Sequence, residues 1–143
     1  MRHKVQGFKL NRNASARTAL RKNLARQVLL NGVIETTLTK AKFVQPYVER
    51  YMSMMSKDDS VGMKRELTKD LGVKTVSHLY NKLRPAFGQV TSGYTRIIKL
   101  GYRRGDDALM VRMSLLDVIA PEAPVEKPAK KTTTKKAAVS KKA

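Results

Sequence analysis

Apolar side chains recur at Leu20, Leu24 and Val28, with Ala16, Ala19 and Ala25 nearby, and this four-residue spacing predicts a helix from about Ala14. Asn31-Gly32 supplies its stop, because glycine takes the left-handed conformation that ends helices. The β-branched run Val33-Ile34-Glu35-Thr36-Thr37-Leu38 then predicts a short strand. A second helix, capped by Thr39, carries the stripe Val44, Tyr47, Val48, Tyr51, Met52 and Met55. Pro46 interrupts that stripe and predicts either a kink or a late helix start. Met52, Met54 and Met55 read as adaptable core filler.

Ser60 is placed to cap a short helix that runs to Leu71 and ends at Gly72. A further helix presents Val73, Val76, Leu79, Tyr80 and Leu83 on one face and is expected to stop before Pro85. Two strands close the pattern, one from Tyr94 to Leu100 and one near Leu109 to Val118, with Gly101 and Gly105 punctuating an antiparallel hairpin. The order helix, strand, three helices, two strands defines an α+β fold, with helices on one face of a small mixed sheet that ends in the hairpin.

Charge changes the picture from a fold to a function. The chain of 143 residues has 30 lysines and arginines against 11 acids, a net charge of +19. So small a body with so much charge is self-repulsive and calls for a polyanionic partner. The charge is also unevenly placed. Residues 1–26 hold eight bases and no acid, the first carboxylate being Glu35. The stretch from Pro121 carries seven lysines against Glu122 and Glu126, with almost no large apolar side chain, and reads as a disordered tail. Three regions follow: an extended basic arm over 1–13, one α+β domain over 14–119, and the tail over 120–143.

The chemistry the chain lacks is equally informative. It has no cysteine, no phosphate-binding glycine loop, no dinucleotide-binding turn and no His-Glu-x-x-His pair. No run is long and apolar enough to cross a membrane, and the basic first 30 residues lack the apolar core of a secretory signal. His78 falls roughly opposite the apolar stripe and is expected at a solvated surface; His3 sits in the arm. Asp58-Asp59 precedes a helix, where acids suit the N-terminal dipole, and Asp106-Asp107 lies in a turn beside Arg103 and Arg104, where local ion pairing is expected. No catalytic residue, metal site or cofactor follows from this set.

What remains suits nucleic acid. Mobile cations of the arm can track a phosphate backbone, and the block Tyr94–Arg104 interleaves four bases with two tyrosines, a combination that pairs with phosphate and stacks on unpaired bases. Arg96 is expected to share a face with Tyr94 and Ile98, and Lys99 to lie opposite with Thr95 and Ile97. The candidate RNA-binding residues are Arg2, His3, Lys4, Lys9, Asn11, Arg12, Asn13, Arg17, Arg21 and Lys22 at the N-terminal end, with Tyr94, Arg96, Lys99, Arg103 and Arg104 in the hairpin. Composition alone would serve an architectural DNA-binding protein nearly as well, but neither a dimer interface nor a groove-reading element is evident.

Specific words in the sequence favour RNA. Met1-Arg2-His3-Lys4, Gly7, Leu10-Asn11-Arg12-Asn13, Arg17, Ala19 and Asn23 resemble the N-terminal region of the bacterial large-subunit ribosomal protein seventeen family. So do Thr36-Thr37-Leu38, Lys40-Ala41-Lys42, and the hairpin words Gly93-Tyr94-Thr95-Arg96-Ile97, Lys99, Gly101, Arg103, Gly105-Asp106, Ala108 and Met110. The resemblance covers roughly residues 1–119. It implies a two-layer α/β sandwich and a structural, non-enzymatic role in the cytoplasmic ribosome. Its implied partners are large-subunit ribosomal RNA and neighbouring ribosomal proteins near the nascent-chain exit, with no membrane and no small-molecule substrate. Ala86 and Val90 depart from the family, which usually has arginine there, and Arg84 stands nearby.

Overall fold

A computed structural model describes residues 7–57, 59–88 and 90–116. Helix α1 spans Ala14–Asn31. Asn13 caps it by accepting the Ala16 N–H at 2.8 Å, and Gly32 ends it at φ 74, donating its own N–H to the Val28 carbonyl. Strand β1 (Val33–Thr37) leads straight into α2 (Leu38–Lys57). This helix starts one residue before the expected cap and runs through Pro46, so the late start does not occur. Burial of Val44, Val48, Tyr51, Met52 and Met55 on its inner face offsets the backbone hydrogen bond that proline cannot make. Helix α3 (Val61–Leu71) has the expected Ser60 cap and Gly72 stop.

The next helix departs from expectation. Helix α4 (Val73–His78) passes into a π-helical turn, Leu79–Leu83, and then into α5 (Arg84–Phe87), so the chain stays helical across Pro85. The Arg84 N–H bonds the carbonyl of Leu79, five residues back rather than four. This wider turn relieves the clash between a proline ring and the preceding helical turn, and Pro85 falls in the first turn of α5, where its missing N–H is least costly. The extra helical turn carries Phe87 into the core. Its ring meets Tyr94 edge-on, with centroids 5.9 Å apart. Counting α4 to α5 as one rod, the order is the expected one.

Strands β2 (Thr95–Tyr102) and β3 (Leu109–Leu115) form the hairpin, with a bulge between Lys99 and Gly101. β3 is central in the order β1-β3-β2, and both pairings are antiparallel. The sheet is therefore antiparallel throughout rather than mixed: β1 and β2 share a direction but are separated by β3. Val111, Met113 and Leu115 point inward against the helices, while Glu35 and Arg112, directly opposed across β1 and β3, form an ion pair at 2.9 Å on the open face.

A pH dependence follows from the packing of α2 on α3. The buried Tyr51 hydroxyl donates to Asp70 at 2.9 Å, and Lys22 of α1 reaches the same carboxylate at 2.8 Å. Burial, then the bond to Asp70, pushes the Tyr51 hydroxyl from 10.0 up to about 12. The Lys22 ammonium, with help from Tyr51, holds Asp70 below its ordinary 3.8 against the opposing effect of burial. A raised tyrosine stabilises the fold below its ordinary value and loses that contribution as pH climbs from about 10 to 12; a depressed carboxylate loses its contribution as pH falls below its ordinary value. Urea unfolding across pH is expected to show a plateau that falls away at both extremes. Tyr51→Phe is expected to flatten the alkaline limb and, by removing one donor to Asp70, to reduce the acid limb to a lesser extent.

Candidate nucleic-acid interface

The N-terminal half of α1 projects past the core. Its buried residues are Ala25, Val28 and Leu29, all in the second half, whereas Ala14, Ser15, Ala16, Thr18 and Ala19 are exposed. The predicted stripe is thus buried only at its C-terminal end, and Leu20 stays half-buried. The free half carries Arg17 and Arg21. Before it, the described part of the arm makes a turn rather than an extended run. The Arg12 N–H bonds the Lys9 carbonyl, and Leu10 and Asn11 both take left-handed conformations, at φ 53 and φ 51. Asparagine tolerates that region and leucine does so at a cost, so this turn is held against local preference.

Arm, α1 and α2 enclose a cleft of about 450 Å³ whose lining includes Phe8, Arg17, Arg21, Lys42, Phe43 and Tyr47. Among the described residues no carboxylate lines it. The Arg21 guanidinium lies 4.2 Å from the centre of the Tyr47 ring, and its Nε is buried with no hydrogen-bond partner among the described residues. Phe43 and Tyr47 meet edge-on at 6.0 Å. Asp70 is engaged by Lys22, Tyr51 and, through its carbonyl, Arg26, and the Arg21 charge acts on it as well.

The structure therefore sorts the candidate residues. Arg2, His3 and Lys4 lie outside the described residues. Lys9, Asn11 and Arg12 are exposed on the arm turn, Asn13 is spent on the helix cap, and Arg17 and Arg21 join the cleft. Lys22 is tied to Asp70. In the hairpin, Arg96, Lys99 and Arg104 are exposed, and among the described residues none of them is ion-paired. Arg103 instead forms a two-point pair with Asp106, which fixes the turn. That pair holds Asp106 down at about 2 and raises Arg103. None of the hairpin cations lines the cleft; they form a separate basic surface along an edge strand.

Tyr94 is the clear correction. It is 1% exposed, packs on Phe87, and donates its hydroxyl to the Val90 carbonyl at 2.7 Å, so its ring is unavailable for stacking on a base. It precedes the first residue of β2, where strand alternation does not yet apply, and so it does not share the open face with Arg96 and Ile98. Tyr102, 69% exposed, is the hairpin tyrosine at the surface. Lys99 keeps the face it was expected to share with Thr95 and Ile97, paired opposite Val111, and is exposed there at the end of the regular register. Among the described residues the outward hairpin side chains include Ile98 and Leu100 as well as the cations.

Three other expectations meet different surroundings. His78 is half-buried, with Nδ1 unpartnered among the described residues, instead of solvated; it sits where α4 widens into the π-helical turn. Asp59 is spent on side chains rather than on a helix dipole alone, bridging Lys64 at 2.7 Å and Arg84 at 2.8 Å. Arg84 is thereby engaged in holding α5 to α3. Val90 packs against the core, where an apolar side chain suits better than a cation.

Sequence reasoning missed Phe8, Lys42 and Phe43 as site residues. Phe43 and Pro46 fall outside the fully buried stripe of α2, Phe43 being half-buried against the edge of the core, and that position was the available signal. Among the described residues no helix is long and apolar enough to cross a membrane, and no group of three or more acids and histidines is placed to hold a metal. A family model described as ribosomal protein L17 matches residues 20–116.

Proposed function

Because the chain belongs to the ribosomal protein L17 family, a family of structural constituents of the large ribosomal subunit, we propose that it binds large-subunit ribosomal RNA through its arm, the free half of α1 and the hairpin. The observation that carries this reading is the run of cations without an acidic partner among the described residues, from Lys9 through Arg12 and Arg17 to Lys42, continued on a second surface by Arg96, Lys99 and Arg104. Cations left unpaired by their own fold are those free to neutralise phosphates. The arm, including Arg2, His3 and Lys4, threads between RNA segments while the sandwich docks on folded RNA. The setting is the cytoplasmic ribosome near the outer rim of the nascent-chain exit, with other large-subunit proteins as neighbours. The role is structural and needs no cofactor.

Fractionation of a native lysate tests this. The chain is expected to migrate with large subunits and to be released by RNase but not by DNase. Release by DNase alone would favour an architectural DNA protein and overturn the reading.

A further inference from the structure

The cleft between arm, α1 and α2 has a composition that generic phosphate contact does not require. Exposed lysines and arginines suffice to track a backbone; an open cleft with aromatic sides does not help them do so. Its volume of about 450 Å³ lies in the range of small-ligand sites. Its cations, with no lining carboxylate among the described residues, select an anion, and its aromatic rings select a flat, apolar-faced group. A bare inorganic ion would leave the rings without a use, and an apolar peptide or acyl chain would leave the cations buried and unpaired. A nucleotide satisfies both sets.

We infer that this cleft receives one unpaired nucleotide extruded from the RNA, its base on Phe8 and Phe43 and its phosphate between Arg17 and Lys42. The inference rests on the RNA-binding reading above and adds a defined site to it. Arg21 is not a phosphate clamp here: its guanidinium is laid on Tyr47 and extends the flat wall. A purine offers these rings more stacking area than a pyrimidine does, so a bulged adenosine suits the cleft better than a bulged uridine.

Three hairpin RNAs of equal stem test the site against the full-length chain: one fully paired, one with a single bulged adenosine, one with a single bulged uridine. The bulged-adenosine hairpin is expected to bind about tenfold more tightly than the paired one, the size of one base–aromatic stack, with bulged uridine between them. Phe8→Ala, on the exposed arm and without consequence for the core, is expected to erase the preference while leaving affinity for the paired hairpin unchanged; Phe43→Leu is expected to do the same, and Phe8→Tyr to retain the preference. Equal affinity for all three hairpins overturns the cleft and leaves the RNA reading standing. Failure to bind any hairpin overturns both.

Discussion

A chain with Arg2, Arg12 and Arg17 all replaced by alanine is expected to be largely absent from large ribosomal subunits, although its domain folds normally. Each cation that neutralises a phosphate releases counterions and steepens the dependence of affinity on salt. If the whole surface makes about six to ten such contacts, affinity falls roughly 10³–10⁵-fold between about 50 and 200 mM salt. Losing three contacts flattens the logarithmic slope by about three and weakens binding roughly a hundredfold near physiological salt. Neither of the described pair, Arg12 and Arg17, supports the core: the Arg12 guanidinium donates to the nearby Leu10 carbonyl, and Arg17 lines the cleft. Removal of residues 120–143, despite their seven lysines, is expected to cost much less, because these lysines stand in a stretch with almost no large apolar side chain to fix their register on the RNA. Salt titration of both variants on large-subunit RNA distinguishes them. A tail deletion that weakens binding more than the triple substitution would reverse this assignment.

The largest effect on stability is expected at a residue that touches no phosphate. Glu49 of α2 accepts hydrogen bonds from the Tyr94 N–H at 3.0 Å, the Thr95 N–H at 2.9 Å and the Thr95 hydroxyl at 2.6 Å. Tyr94 and Thr95 are buried, so these donors have no water to turn to. Glu49→Ala strands them together, at about 1–3 kcal/mol for each unsatisfied group. A total loss of about 3–5 kcal/mol is a large share of the roughly 5–15 kcal/mol that holds a domain of this size. Thermal unfolding is expected to shift down by about 15–30 °C. Glu49→Gln, which keeps one acceptor oxygen, is expected to lose about half as much. A change below about 1 kcal/mol in the alanine variant would show that the start of β2 is anchored by other means. The same carboxylate positions the first residue of the basic hairpin, so this variant should also bind RNA less well without any change in salt slope.

Local signals made much of this fold legible. Gly32 ends α1, Ser60 and Gly72 bracket α3, and the β-branched run marks β1, because caps and turns act over a few residues; Asn13, expected on RNA, turned out to be the cap of α1. Helix continuity across Pro85 was hidden, since a proline normally predicts a stop and the π-helical turn that absorbs it has no sequence signature. Sheet order depends on long-range pairing, and the central place of β3 follows only once β1 and β2 both lie against it. The interface was legible as charge but not as shape. Arg17 and Arg21 were visible as cations on a helix; that they face Lys42 and Phe43 across a cleft required α1 and α2 to be packed together. Tyr94 shows the converse, a residue assigned to binding by its neighbours in sequence and to the core by its neighbours in space.

Contact with RNA through the arm, α1 and the hairpin is the central claim, and zero-length crosslinking addresses it in the assembled particle. Purified large subunits are irradiated with ultraviolet light, digested with nuclease and protease, and the peptides carrying nucleotide adducts are identified by mass spectrometry. Adducts are predicted in peptides from residues 2–26, from the Phe43–Tyr47 segment and from residues 96–104, with Phe8 and Tyr102 foremost. Adducts confined to α3 and β1, with none in those peptides, would contradict the account.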